Sequence, residues 1–205
     1  MKVCLDLHDF SVVNSRLELL LKLKEHFPGF KISLFTVPLD TQNNWGQFLV
    51  RPEFLKKLKE HLDWIQIIPH GLHHHHWEMN NFDYQTFRGT IMPAIKEAFD
   101  RDGLPFVRGF CAPYWRWSAD VVKALDDEGW WGAVDRRRPN MLSTKVFFKY
   151  SHCLDEPFDM NADILKLHGH TYGTRNDVGR CFENILKLPQ SVEWHFATDF
   201  LEEKI

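Results

Sequence analysis

The sequence predicts an α/β fold, a small (β/α) barrel of about seven or eight parallel strands in a single domain, residues 1–205. Short apolar runs alternate with segments of helical period along the whole chain, as in strands joined by crossover helices. Prolines and glycines stand between these segments, where turns are needed. No repeat, low-complexity tract or linker divides the chain. The competing arrangement is a doubly wound open sheet.

In the first half of the chain, three strands alternate with two helices. The first strand is an apolar run that only Asp6 interrupts, which is typical of a buried central strand. Leucines recur at helical spacing after it, and Pro28 and Gly29 end that helix. The second helix has Pro52 in its first turn, a position that needs no backbone N–H. The predicted strands are Val3–Leu7, Phe30–Val37 and Trp64–Ile68, and the predicted helices are Leu17–Phe27 and Pro52–Leu62.

The second half continues the alternation with three helices and five strands. Pro93 predicts a kink inside the first of these helices. Ser118 is a good N-cap for the second helix, and Asp120 favours its first turn. Gly129 ends that helix, because glycine readily takes the left-handed conformation. The predicted helices are Tyr84–Arg101, Ser118–Gly129 and Gly179–Lys187, and the predicted strands are Phe106–Phe110, Trp130–Val134, Lys145–Tyr150, Asp163–Leu167 and Glu193–Ala197.

Charge and hydropathy exclude several classes of function. The net charge of −3 at pH 7 argues against a nucleic-acid partner. The basic run Arg136–Arg138 is interpreted as a solvated loop, with contact to an anionic substrate as the alternative. No window reaches the ~18 apolar residues of a membrane span. Because Asp6 and Asp9 interrupt the N-terminus where a signal peptide would be apolar, we expect a cytoplasmic protein. The sequence does not give its oligomeric state.

Polar residues gather directly after the predicted strands. His8 and Asp9 end the first strand, His70 to His76 follow the third, and His168 follows a later one. In a parallel α/β fold the carboxyl ends of the strands meet at one face, where functional sites form. We therefore expect these side chains to lie together.

Two histidines four residues apart, His70 and His74, share one face if the intervening loop takes a helical turn. Two neutral imidazoles and one carboxylate form an open three-ligand site for a divalent ion, and Asp9 is the candidate third ligand. These ligand types suit zinc, nickel, cobalt or iron alike, so they do not by themselves identify the ion. The alternative is a structural protein whose loop histidines bind metal only adventitiously.

The ordered motifs LHDF, HGLHH, FCAPYW and LKLHGH carry a resemblance to a known family. Their order and spacing resemble the polysaccharide deacetylase family, also named NodB homology or carbohydrate esterase 4, over about residues 3–200. The resemblance implies a deformed (β/α) barrel. It also implies removal of acyl groups from N-acetylated sugars with a divalent metal, often zinc.

The resemblance assigns roles to the residues that match the motifs. Asp9, His70 and His74 would bind the metal, so the resemblance and the ligand chemistry select the same three residues. The backbone N–H of Tyr114 would help to hold the oxyanion. His168 would be the general acid.

Two positions depart from the family pattern. His8 stands where the family has its catalytic base, and Cys111 stands where an arginine orients that base. In one interpretation His8 is the base and Asp6, on the same strand face, orients its ring. In another Asp6 is itself the base, and in a third proton transfer has been lost. Arg116 or one of Arg136–Arg138 is the candidate substitute for the missing guanidinium.

Other side chains near the site receive structural or binding roles. His170 is expected to point away from His168 if the strand persists, and to brace a loop. Aromatic rings in or beside the site loops are candidates to stack on a sugar, while at least one is expected to plug the rim. These rings are Trp45, Trp77, Tyr114, Trp115 and Trp117.

We expect metal-dependent hydrolysis of a carbon–nitrogen bond, most simply removal of an N-acetyl group from a sugar. The substrate is an oligosaccharide or a small molecule. One alternative is a metal-binding or carbohydrate-binding domain that has lost its base. Another is an amidohydrolase that acts on a non-sugar amide.

Overall fold

The computed structural model describes residues 1–40, 46–47, 51–138 and 140–204. The strands of the first half are β1 (Lys2–Phe10), β2 (Ile32–Thr36), β3 (Leu39–Asp40), β4 (Gly46–Gln47) and β5 (Ile65–Pro69). Those of the second half are β6 (Gly109–Phe110), β7 (Trp131–Val134), β8 (Val146–Lys149), β9 (His152–Cys153), β10 (Ile164–His170), β11 (Glu193–His195) and β12 (Glu202–Glu203). The helices are α1 (Leu17–His26), α2 (Pro52–Lys59), α3 (Tyr84–Thr86), α4 (Met92–Asp102), α5 (Ala119–Asp127) and α6 (Phe182–Leu186).

The strands pair into two larger sheets and one two-stranded ribbon. The first sheet has the order β5-β2-β1-β10-β9, β11 also pairs with β1, and every pairing in this sheet is parallel. The second sheet has the order β6-β7-β8-β12, and its β8/β12 pairing is antiparallel. β3 and β4 form the ribbon. The backbone N–H groups of Val107 and Cys111 donate to the carbonyls of Ile67 and Pro69, each at 3.1 Å, and so link the two sheets.

The prediction of a mixed α/β fold with parallel strands is confirmed, but the strand count and the closure differ. Six parallel strands in the first sheet and three in the second exceed the expected seven or eight. The additional strand is β9, whose two residues are too few for hydrophobic periodicity to reveal. Across the described residues, strand pairing produces two sheets rather than one continuous barrel.

The predicted helices are present, with differences in their ends and in the kink. Ser118 caps α5 by accepting a hydrogen bond from the N–H of Val121 at 3.2 Å. In place of the kink expected at Pro93, a π-helical turn over Phe87–Ile91 separates α3 from α4. Pro93 lies in the first turn of α4, where its missing N–H costs no hydrogen bond. None of the helices in the described ranges is long and apolar enough to cross a membrane.

β1 is the central strand of the first sheet, and it is buried from Val3 to Phe10. The leucines that recur along α1, Leu17, Leu20 and Leu23, belong to the same apolar core. Full burial of one such side chain contributes about 1.5–3 kcal/mol. The polar residues of β1 are therefore held on a buried central strand.

Candidate metal and catalytic site

A cavity of about 400 Å³ lies where β1, β5 and β10 end. Parallel strands place their carboxyl ends at one edge of a sheet, so residues distant in sequence meet there. The structure thus brings most of the strand-end residues singled out in the sequence into one site. The residues that line the cavity are His8, Asp9, His70, His74, His76, Tyr114, Trp115, Arg116, Arg138, His170, Tyr172, Gly173 and Thr174.

Three of these residues, Asp9, His70 and His74, form a group that can hold a metal ion. One ligand atom from each lies within 4.8 Å of the others. The Asp9 Oδ1 atom is 3.4 Å from His70 Nε2 and 2.9 Å from His74 Nε2. The three residues predicted as metal ligands therefore converge. Together with His170 they are called the outer cluster below.

The His70 ring is held in the orientation that a metal ligand needs. Its Nδ1 atom donates to the carbonyl oxygen of Cys111 at 2.9 Å. A carbonyl only accepts, so the proton of the neutral ring is on Nδ1 and Nε2 carries a lone pair toward Asp9. Burial lowers the pKa of His70, which keeps the ring neutral. Cys111 thus serves the site through its backbone.

The Asp9 carboxylate is also bound from the side opposite the ligand group. His170 Nδ1 lies 2.7 Å from Asp9 Oδ2. Burial raises the pKa of Asp9, but its contacts with His170, His70 and His74 outweigh burial and hold the pKa well below its usual range. The expectation that His170 points away from His168 is wrong, because residues two apart on a strand share a face and β10 extends to His170.

Backbone strain is concentrated around this cavity. Among the described residues, five non-glycine residues have a left-handed backbone, and four of them line the cavity. Such conformations cost of order 1–3 kcal/mol each and persist where the surrounding structure holds them. The four residues are Asp9 (φ 62°), His74 (φ 60°), Tyr114 (φ 56°) and Trp115 (φ 59°).

The loop that carries His74 is held by a single carboxylate, that of Glu78. Glu78 Oε1 accepts hydrogen bonds from the N–H groups of Leu72 at 2.8 Å and His73 at 2.9 Å. Its Oε2 atom accepts from the N–H of His75 at 3.3 Å. Sequence reasoning missed this residue, although a carboxylate a few residues after a loop rich in unpaired N–H groups is a usable signal. Glu78 therefore fixes the backbone on both sides of a candidate ligand.

A second group of carboxylate and imidazoles lies deeper and is called the inner cluster: Asp6, His8 and His168. His168 Nδ1 is 2.6 Å from Asp6 Oδ1, whereas His8 Nε2 is 3.8 Å from the same oxygen. The expectation that Asp6 orients His8 is therefore wrong, and Asp6 holds His168. The cause is the parallel register of β1 and β10, which pairs Asp6 with His168 and His8 with His170.

Both imidazoles of the inner cluster are kept neutral. Burial lowers the pKa of His8 well below its usual range, and repulsion from His168, His70 and His170 adds to this effect. Burial also lowers the pKa of His168, although Asp6 opposes that shift. Within the described parts of the chain, His8 Nε2 and His168 Nε2 have no hydrogen-bond partner. The two rings thus have nitrogen atoms that are not committed to another group.

The two inner imidazoles differ in their access to the cavity. Both rings are buried, but His8 is part of the cavity lining and His168 is not. The ring centroid of His168 is 4.6 Å from that of His8 and 5.5 Å from that of Trp115. The residue predicted as general acid is therefore covered by the base candidate and by an aromatic ring.

The aromatic residues divide into two groups. Trp117 is buried, and its indole N–H donates to the carbonyl of Leu142 at 2.9 Å, so it plugs the rim as one ring is expected to do. Trp77 and Tyr114 are about half exposed near the cavity and remain available to a ligand. Trp45 lies outside the described residues.

The candidate substitutes for the missing arginine have other partners. Arg136 pairs with Glu156, and both Arg137 and Arg138 contact Asp135. The Arg116 guanidinium lies over the Trp77 ring at 4.3 Å. In the portion of the chain that the structure describes, no hydrogen bond or ion pair joins any of them to the base candidates of β1.

Comparison with known proteins agrees with the fold. No family profile and no curated protein matches the sequence. Among solved structures, a family 4 acetyl xylan esterase from Clostridium thermocellum with a cobalt ion is 10% identical, with TM-score 0.59, over 97% of this chain and 89% of that one. The Bc1960 peptidoglycan N-acetylglucosamine deacetylase is 12% identical, with TM-score 0.61, over 95% of this chain and 85% of that one.

A third similar structure is a carbohydrate esterase 4 pseudoenzyme from Bacillus anthracis. It is 15% identical, with TM-score 0.57, over 97% of this chain and 64% of that one. Identities this low establish the fold alone. The chain has the fold of the family 4 carbohydrate esterases, and the resemblance found in its motifs is confirmed at that level.

Proposed function

We propose that this protein is a metal-dependent hydrolase of carbon–nitrogen bonds that removes the acetyl group from an N-acetylated sugar or a related amide. In this proposal its two sheets form the deformed (β/α) barrel of a divergent polysaccharide deacetylase. The observation that carries the proposal is the convergence of Asp9, His70 and His74 on the floor of a cavity. The solved similar structures, which include a deacetylase and a cobalt-containing esterase, support it.

The donor set fits a divalent ion. Asp9 offers an ionised carboxylate, His70 a neutral ring with its lone pair on Nε2, and His74 a second Nε2 atom. One carboxylate and two imidazoles leave coordination positions open for water and substrate. Zinc is the ion we propose, with nickel, cobalt and iron as alternatives that the same ligands accept. Such an ion supplies polarisation of an acyl oxygen and activation of water.

The residues around the ion take the remaining roles. His8 lies at the cavity surface with a neutral ring, so it is the proposed general base. Asp6 holds His168 Nδ1 and stabilises its imidazolium, so in this proposal His168 Nε2 takes up the proton that His8 removes from water and returns it, through His8, to the departing amine. Asp6 is thus a positioning residue rather than the base. The backbone N–H of Tyr114 is the proposed oxyanion donor, a contribution typically worth about 3–4 kcal/mol.

The cavity suits a sugar unit. Its volume of about 400 Å³ lies within the usual range for small-molecule sites. The half-exposed rings of Trp77, Tyr114 and Tyr172 stand at or beside its mouth, where aromatic faces stack on pyranose rings. An oligosaccharide or a single N-acetylated sugar is the proposed substrate. The cytoplasmic location stays a prediction.

The non-catalytic alternative is less well supported. A domain that only binds a metal or a carbohydrate has no use for a buried carboxylate held against an imidazole one layer below the metal ligands. That arrangement is typical of proton transfer. The alternative of a non-sugar amide substrate is tested by assaying non-sugar amides alongside the N-acetylated sugars.

The proposal is tested by metal analysis and acetate release with untagged protein, because an affinity tag of histidines would bind metal itself. We expect about one divalent ion per chain, as for a three-ligand site, and release of acetate from N-acetylated oligosaccharides that stops when the ion is chelated. Asp9→Ala is expected to lose both the ion and the activity. A panel of non-sugar amides is assayed in parallel.

The matched control is Asp63→Ala, which removes an exposed carboxylate from a turn outside the site. This variant is expected to keep the ion and the activity. If Asp9→Ala binds metal as the parent does, or if the metal-loaded parent releases acetate from no compound, the proposed function is wrong.

A further inference from the structure

Two arginines line the same cavity as the outer cluster: Arg116 and Arg138. They also line an adjoining cavity of about 460 Å³, together with Trp115. The two cavities therefore meet at a wall that carries two guanidinium groups. A ligand that extends from the metal ligands into the second cavity passes between or over these groups.

Among the residues that the structure describes, the Arg116 guanidinium has no acidic partner. Within the described ranges it forms no ion pair, and its Nη1 atom is shielded from solvent without a hydrogen-bond acceptor. The group is nevertheless held in place, because it lies over the Trp77 ring at 4.3 Å. A guanidinium donor that is desolvated and unpaired is costly unless a ligand supplies the acceptor.

Arg138 has an acidic neighbour that other groups already use. Its Nε atom is 3.5 Å from Asp135 Oδ2. The same carboxylate accepts hydrogen bonds from Arg137 Nε at 3.1 Å and from the Tyr150 hydroxyl. Asp135 therefore compensates two cations at once, and the Arg138 side chain, which is about half exposed, also lines the cavity.

The charged residues of the two cavity walls also favour an anionic ligand. Asp9 is the single acid among the described residues that line either cavity, and three imidazoles lie against it. The remaining charged groups of both walls are the two guanidiniums. Two cations on one wall are contrary to the overall charge of the chain, which is −3.

We propose that the two guanidiniums form an anion subsite and that the substrate is an N-acylated compound bearing a carboxylate or a phosphate. Arg116, fixed on an indole face, supplies a planar pair of N–H donors for bidentate contact with the anion. Arg138 supplies a second cation from the segment after β7. This inference rests on the proposed function, since it names the substrate class of the same cavity.

The test compares three compounds that share the N-acetylglucosamine ring. N-acetylglucosamine is neutral, N-acetylmuramic acid adds a carboxylate, and N-acetylglucosamine 6-phosphate adds a phosphate. Binding to the metal-loaded protein is measured by calorimetry, and kcat/KM for acetate release is measured separately. We expect at least one anionic compound to bind roughly 10- to 100-fold more tightly than the neutral one, the range of one or two charged hydrogen bonds.

Variants locate the preference on the two arginines. Arg116→Gln and Arg138→Gln are each expected to remove most of the preference for the anion, so that the anionic compounds and N-acetylglucosamine bind the variant with similar affinity. Arg116→Lys keeps the charge but not the planar donor pair, so it is expected to restore part of the preference. The matched control is Arg108→Gln, an exposed arginine before β6, at the end of the strand away from the site.

Three results would overturn the inference: equal affinity for the three compounds, no measurable binding of the anionic ones, or an equal loss in Arg108→Gln and Arg116→Gln. The third result would mean that net charge, rather than the subsite, attracts the anion. The failure of the proposed function is a different observation, since it is read from acetate release. Release at equal kcat/KM from neutral and anionic compounds leaves the hydrolase proposal intact and removes the anion subsite.

Discussion

The outer and inner clusters each contain one carboxylate–imidazole pairing between β1 and β10, and the outer cluster adds His70 and His74 from the segment after β5. In each, a carboxylate of β1 binds an imidazole of β10: Asp9 with His170 at 2.7 Å, and Asp6 with His168 at 2.6 Å. They differ in access, because Asp9 lines the cavity whereas His168 is fully buried. Ion capture requires entry from solvent, and proton transfer requires a fixed ring in a dry environment. Contact with the cavity, rather than residue type, separates the metal-binding role of the Asp9–His170 pair from the proton-transfer role of the Asp6–His168 pair.

The largest effect is expected from Asp6→Asn, which separates the clusters most sharply. An amide at this position no longer supplies the charge that stabilises the His168 imidazolium and fixes its tautomer. We expect acetate release to fall by about 10²–10⁴-fold, the range for loss of general acid–base catalysis. Metal content, measured by elemental analysis, is expected to stay at the parent's level.

Asp9→Asn is the comparison for Asp6→Asn, because the same chemical change in the outer cluster removes a ligand. It is expected to lose metal and activity together. If Asp6→Asn also loses its metal, the inner cluster takes part in ion binding and the division between the two clusters is wrong.

A smaller effect is expected from His170→Ala in the outer cluster. His170 holds the Asp9 oxygen that faces away from the ligand group, and removal of such a supporting partner typically costs 10- to 100-fold in metal affinity. Affinity is measured by competition with a chelator of known strength. His152→Ala, on β9 and outside the cavity lining, serves as the control and is expected to bind metal as the parent does. If His170→Ala binds the metal ion as tightly as the parent does, the hydrogen bond between His170 and Asp9 does not support metal binding.

The sequence predicts the elements well because each buried face repeats with the period of its own secondary structure. It also selects Asp9, His70 and His74, since ligand-type side chains at strand ends are rare without a function. Neighbours on a regular strand point to opposite faces, yet His8 and Asp9 both line the cavity. A register shift between β1 and β2 near these residues, with the left-handed backbone of Asp9, makes this possible.

The pairings inside the site could not be predicted in the same way. Which β10 residue lies beside Asp6 depends on the register of two strands that are about 160 residues apart, and hydrophobic patterning specifies faces rather than partners. From the sequence, the expected partner of Asp6 is His8, two residues away on the same strand. In the structure the register of β1 and β10 places His168 beside Asp6 instead. The partner of His170 was missed because β10 was expected to end at Leu167, three residues before its observed end.

The smallest expected effect concerns the stability of the metal-free protein against acid. Burial lowers the pKa of His168 in the folded state, whereas in the unfolded chain the ring titrates near its ordinary pKa of about 6.5. Between the two values the unfolded state binds more protons, so the free energy of unfolding rises with pH in this window. The contribution of neutral His168 to the free energy of unfolding is complete above about pH 6.5. It is lost as the pH falls toward the lowered pKa of His168 in the folded state.

Urea unfolding in the presence of a chelator, at a series of pH values from 7.5 to 5 (about one window of histidine titration), measures this dependence. His168→Gln removes the titrating ring, so its free energy of unfolding is expected to change less steeply with pH than that of the parent, even if the variant is less stable at every pH. His26→Gln, an exposed histidine on α1, is expected to leave the slope unchanged. The Asp9 carboxylate contributes little in this range because its pKa is held low. If the free energy of unfolding of His168→Gln changes with pH as steeply as that of the parent, the inner cluster is already hydrated or protonated in the folded protein. Burial would then no longer explain the different roles of the two clusters.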